Sequence, residues 1–99
     1  MRTLLSKSVR QFLRREAEYL ESQNPRAAVA TLQQLRESIR MIGDYPGIGA
    51  PLPLPGRRRF VSGAYVIDYR VDAKSILISH MRHGRQLDPD LERDDDLAD

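Results

Sequence analysis

Ninety-nine residues suit one small domain, large enough for a single core of helices on a sheet and too small for two. The chain has no cysteine, which excludes a disulfide framework and a thiolate metal site; its two histidines make a poor zinc set, so neither metal nor cofactor is expected and a reducing cytoplasm is the expected compartment. The formal charge of +2 conceals a split, because residues 88–99 hold seven acidic residues against one arginine (7 − 1 = 6 negative), leaving residues 1–87 at 15 − 7 = +8.

In chain order, Thr3 to Leu5 could form a short edge strand. Leu4-Leu5 then gives way to charge, and no run approaches the ~20 apolar residues that span a bilayer, so neither a leader nor a membrane segment is expected. Ser6 offers an N-cap oxygen, with Ser8 and Gln11 as a competing capping box. Val9, Phe12, Leu13, Ala17 and Leu20 recur at spacings of three and four, the stripe of an amphipathic helix, while Arg10, Arg14, Arg15, Glu18 and Glu21 fall outside it. Asn24-Pro25 ends that helix and starts another, Asn24 as cap and Pro25 at the first helical position. The second helix is expected from Pro25 to about Ile42, with Val29, Leu32, Leu35, Ile39 and Ile42 on its stripe and Gly43 as a left-handed C′ residue. Tyr45 to Gly56 holds four of the six prolines and three glycines, which makes it an ordered connector. A polyproline recognition segment is the sharper reading, and a rigid loop the commoner one.

Strand signals fill the rest. Arg58 to Ser62 can form a strand that turns at Ser62-Gly63 into the clearest one, Ala64 to Val71, where Tyr65, Ile67, Tyr69 and Val71 alternate with Ala64, Val66, Asp68 and Arg70. Asp72 to Lys74 turns the chain again, and Ser75 to Met81 resumes around Ile76, Leu77 and Ile78. The three make an antiparallel meander with the second strand central. Residues 1–87 are read as one domain and residues 88–99 as a flexible acidic tail. The basic body suits an acidic partner, nucleic acid or an acidic protein segment, and an ordinary solvated surface is the plainer alternative.

Chemistry-bearing residues concentrate at Arg57-Arg58-Arg59 and at His80, Arg82, His83 and Arg85. In a meander these two groups lie at opposite ends, and Arg70 is the nearer companion of Arg57 to Arg59, which leaves a basic sheet surface of open grouping. His83 with Arg85 and another arginine would be chemically adequate for phosphodiester cleavage. A strand-end histidine bonded to backbone is the competing reading, favoured for His80 and evenly balanced for His83. Tyr65 and Tyr69 read as core. No carboxylate pair, Ser/His/Asp set, phosphate-cradling glycine motif or metal-ligand spacing stands out.

Taken together, these features resemble the RelE/ParE superfamily of type II toxin–antitoxin toxins from Thr3 to Pro89. The resemblance is carried by Ser6 and the helix to Tyr19-Leu20, Asn24-Pro25-Arg26-Ala27-Ala28, Pro46-x-x-Gly49 and Arg57-Arg58-Arg59. Tyr65-Val66-Ile67-x-Tyr69-Arg70 and His83-Gly84-Arg85-Gln86 complete it. It implies an α+β fold of order β-α-α-β-β-β, a helical hairpin packed on an antiparallel sheet. RelE-like members cut messenger RNA on the ribosome with basic residues and a C-terminal tyrosine or histidine; ParE-like members poison DNA gyrase and lack that set. No tyrosine follows Tyr69 and the C-terminal region is acidic, which places the resemblance on the ParE-like side.

A ParE-like chain is expected to be a toxin that inhibits DNA gyrase without catalysis. It would be neutralised by a cognate antitoxin and bind no nucleic acid sequence-specifically by itself. Arg59, Arg70, Arg82, His83 and Arg85 are then candidates for target binding, and Arg10, Arg14 and Arg40 for antitoxin binding. Under the alternative, a RelE-like ribonuclease, His83 and Arg85 would be catalytic. An inactive antitoxin-binding family member is the third reading.

Overall fold

The computed structural model describes residues 1–85; the acidic segment 88–99 lies outside the described residues. Two helices, α1 (Lys7–Gln23) and α2 (Pro25–Asp44), pack on a five-stranded sheet of β1 (Arg2–Leu5), β2 (Ala50–Pro51), β3 (Arg57–Ser62), β4 (Tyr65–Val71) and β5 (Ser75–His83). The sheet runs β1-β5-β4-β3-β2. Strands β3, β4 and β5 form the expected antiparallel meander with β4 central. The first strand pairs with β5 in parallel, Leu5 beside Ile78, which makes the sheet mixed. The α+β order β-α-α-β-β-β is thereby realised, with β2 as a two-residue addition inside the proline-rich connector. Pro51 is tolerated there because β2 is an edge strand, where a missing N–H breaks no central ladder.

The core lies between the helices and one face of the sheet, where Val9, Leu35 and Ile42 meet Tyr65, Ile67, Tyr69, Ile76, Ile78 and Met81. Such a set is possible only because β5 carries a bulge. Asp68 pairs with His80 while its neighbour Tyr69 pairs with Ile78, so Ser79 is the extra residue and side-chain parity switches there. Without it, Ile76 and Ile78 would face the helices while Met81 and His83 turned away. The bulge is held from the helix side: Ser6 caps α1 by accepting from Val9 N–H at 3.1 Å and donates to the Ser79 carbonyl at 2.8 Å. Ser6, not Ser8, is the cap.

Two details of α2 differ from the sequence reading. Gly43 is inside the helix, which continues to Asp44 and ends at Tyr45, and only Gly56 and Gly63 have positive φ among the described residues. Its small size serves contact with β1 instead, since a Cβ there would meet Thr3 Oγ1 at 2.9 Å. Val29 is 59% exposed; the buried stripe runs through Ala28, Leu35, Ser38 and Ile42, so the helix is rotated toward its smaller residues at its N-terminal end. The buried Ser38 has a reason: its hydroxyl lies 2.6 Å from that of Ser62 at the end of β3, which also accepts from Gln34 Nε2.

The connector is pinned by one buried tyrosine and one arginine. Tyr69 Oη accepts from Gly49 N–H at 2.8 Å and donates to the Pro46 carbonyl at 2.7 Å, while Arg58 donates to the Gly49 carbonyl at 2.7 Å. It behaves as the rigid loop.

Candidate functional site

Where α1 crosses the end of β4 and β5 remote from the turn that joins them, a carboxylate, a phenol and an imidazole converge. Glu16, 7% exposed, accepts a short hydrogen bond from Tyr65 Oη, and its Oε2 lies 3.0 Å from His83 Nε2. Phe12 closes the group from the same helix, its ring edge-on to Tyr65 at 6.0 Å and to His83 at 5.8 Å, and the Tyr65 and His83 rings are 4.8 Å apart. Burial first, and then the hydrogen bond to Glu16, hold the Tyr65 phenol well above the ordinary tyrosine range. Tyr65 is therefore a donor to Glu16 at neutral pH. Past this group an open cleft is lined by Val61, Val66, His83 and Arg85 at the end of the β3–β4 hairpin.

The second region is the sheet face that bears no helix. Because register partners share a face, Arg57, Arg59, Arg70 and Arg82 all belong there with Asp68 and His80, and Arg2 joins them from β1. Asp68, 2% exposed, is clasped by Arg59 through two bonds, Nε to Oδ1 at 2.6 Å and an NH2 group to Oδ2 at 3.1 Å. Arg70 Nε lies 3.5 Å from Asp72 Oδ2. His80 is engaged through Nδ1 with the hydroxyl of Ser79 at 2.9 Å.

A third region is the outer surface of the helical hairpin. Leu13, Ala17, Leu32, Leu35 and Ile39 line a groove of about 250 Å³ between α1 and α2, with Arg14 and Arg36 on its rim. Arg10 is four residues from Arg14 and Arg40 four from Arg36, the spacing of neighbours on one helix face. Arg40 is paired with Glu37 at 2.7 Å on the exposed surface. Among the described residues no helix is long and apolar enough to cross a membrane, and no three His, Asp or Glu side chains could hold a metal ion.

The sequence profile of the ParE toxin of the type II toxin–antitoxin system parDE matches residues 4–88. The chain belongs to the ParE toxin family. Its fold is similar to a solved structure of the chromosomal ParDE toxin–antitoxin system from P. aeruginosa, with a TM-score of 0.73 and 19% identity over 84% of this chain and 95% of that one. No curated protein matches the sequence significantly.

Within this ParE fold the five target-binding candidates do not form one site. Arg59, Arg70 and Arg82 lie on the helix-free face, whereas the His83 side chain is on the helix side and Arg85 lines the cleft beyond it. The antitoxin-binding candidates are brought together better, Arg14 on the groove and Arg10 and Arg40 in line with its rim. Sequence reading missed Glu16, Asp68 and Arg36. Glu16 had a visible signal, since it sits three residues after Leu13 and four after Phe12, a carboxylate on the apolar stripe. Asp68, likewise, is an acid inside a strand whose neighbours are apolar.

Proposed function

We propose that this ParE-family toxin acts by binding, inhibiting DNA gyrase, and that a cognate antitoxin neutralises it by laying a helix with acidic flanks into the groove between α1 and α2. Glu16 supports binding over phosphodiester cleavage. A site that cuts RNA gathers cations where charge develops on phosphorus. Here the histidine has a carboxylate 3.0 Å away. Two like unit charges 4 Å apart repel by about 4 kcal/mol in partly shielded surroundings, so Glu16 works against a phosphate at His83. Arg59, Arg70 and Arg82, which would offset that repulsion, are on the other face. Purified toxin is expected to inhibit supercoiling by gyrase and to leave ribosome-bound message intact, with His83→Gln weakening inhibition only as far as it disturbs a binding surface.

A ribonuclease is the second reading, and one observation favours it: a carboxylate that orients a histidine is also how general bases are built. Cleavage of translated message by the wild-type protein, lost in His83→Gln, would establish that reading and overturn the first.

A further inference from the structure

We infer that residues 88–99 of this chain dock on the helix-free face of its own sheet, along the arginines of β3, β4 and β5. The inference is independent of what the toxin targets. Both helices occupy the other side, so this face has no covering element among the described residues. Its register places five arginines on it, Arg2, Arg57, Arg59, Arg70 and Arg82, against the carboxylate of Asp68 and, beside Arg70, that of Asp72 (5 − 2 = +3). The occupant has the complementary charge: seven acids and one arginine, six net negative.

Position and reach agree with charge. The last residue of this face before the chain leaves the sheet is Arg82, beside Val66, so the acidic segment follows from the rim of the face it is inferred to cover. From Val66 to Arg70 is four residues of strand, about 13 Å. Twelve extended residues span up to about 40 Å, enough to pass Arg59 and reach Arg57 and Arg70. The family match ends at residue 88, so eleven of the segment's twelve residues, and six of its seven acids, lie beyond it. A tethered acidic segment has an effective concentration in the millimolar range for short flexible linkers, sufficient for a weak charge-driven contact to be occupied. Such a contact makes the segment a competitor of any anionic partner for this face.

The absence of cysteine permits a clean test on the full chain. Asp95→Cys carries a nitroxide label, and the Nε–Hε signals of the arginines are followed by NMR. At about 0.1 M salt, where the screening length is about 10 Å, the signals of Arg57, Arg59, Arg70 and Arg82 are expected to be lost or broadened while those of Arg14, Arg26 and Arg36 on the helices persist. At about 1 M, where it is about 3 Å, they are expected to return. Uniform broadening, none at all, or broadening centred on the helices overturns the inference. So does the same pattern in a mixture of isotope-labelled toxin and spin-labelled, unlabelled toxin, which would make the contact one between copies.

Discussion

At the scale of single residues, Glu16 is where α1 is tied to the sheet. Its carboxylate is buried and takes both the Tyr65 hydroxyl and His83 Nε2. Removing it by Glu16→Ala leaves a buried phenol without its acceptor, a loss of about 1–3 kcal/mol. Glu18, exposed on the same helix, should cost within about 0.5 kcal/mol when changed to Ala. Urea unfolding of the two variants tests the contrast, and equal midpoints would refute the assignment. Tyr65 adds a pH dependence of known sign. Its phenol titrates above the ordinary value of about 10 in the folded protein, so above pH 10 the unfolded chain loses this proton first and binds fewer protons than the native state. The stabilisation is complete below about pH 10 and is lost as pH rises beyond it. Tyr69, also raised by burial, acts in the same direction. Unfolding midpoints between pH 8 and about 11.5 should fall at the alkaline end for the wild type and fall less steeply for Tyr65→Phe.

At the scale of elements, the junction of β1, α1 and β5 rests on Ser6, which is fully buried and serves the cap and the bulge at once. Loss of an N-cap costs about 0.5–2 kcal/mol, and here the Ser79 carbonyl loses a partner as well, so Ser6→Ala should cost about 2 kcal/mol or more. Ser8→Ala should be nearly neutral, since Ser8 reaches that carbonyl only at 3.5 Å. Thermal melts that ranked the two in the opposite order would contradict the capping geometry. These elements also show what could be read from the chain. Helix periodicity, Asn24-Pro25 and the alternation around Tyr65 each express a local preference, so both helices and the meander were legible. The bulge at Ser79 was not, because it answers to Ser6, 73 residues away. The same cause explains Gly43, whose contact is with Thr3, and Val29, which is apolar at a suitable spacing yet faces water because the helix buries Ala28 in its place. For the site, the arginine-rich face could be inferred in composition and not in grouping, since which residues share a face beyond residue 79 depends on that one extra residue.

At the scale of the whole molecule, positive charge is carried on two separate surfaces, the rim of the hairpin groove and the helix-free sheet face, with the Glu16 joint between them. That separation lets antitoxin binding be altered alone. Arg14→Glu and Arg36→Glu together should weaken the complex with the cognate antitoxin by tenfold or more, about 1.4 kcal/mol, with a steeper effect at low salt, while Arg70→Glu leaves it largely unchanged. Titration calorimetry at two ionic strengths measures this, and a larger loss from Arg70→Glu would move the antitoxin to the sheet face. The parallel pairing of β1 with β5 has a different consequence, one for the birth of the protein. Arg2 to Leu5 wait for Ser75 to Ile78 before they have a partner, and the Ser6–Ser79 bond, the bulge and the His83 contact all depend on the same late strand. Chains grow from the N-terminus at about 5–20 residues per second, and contacts so distant in sequence form slowly. A released fragment that ends before Ser75 should therefore be protease-sensitive throughout, and one that extends past Gly84 resistant. The cell making this toxin meets its working surfaces only once the last strand has cleared the ribosome.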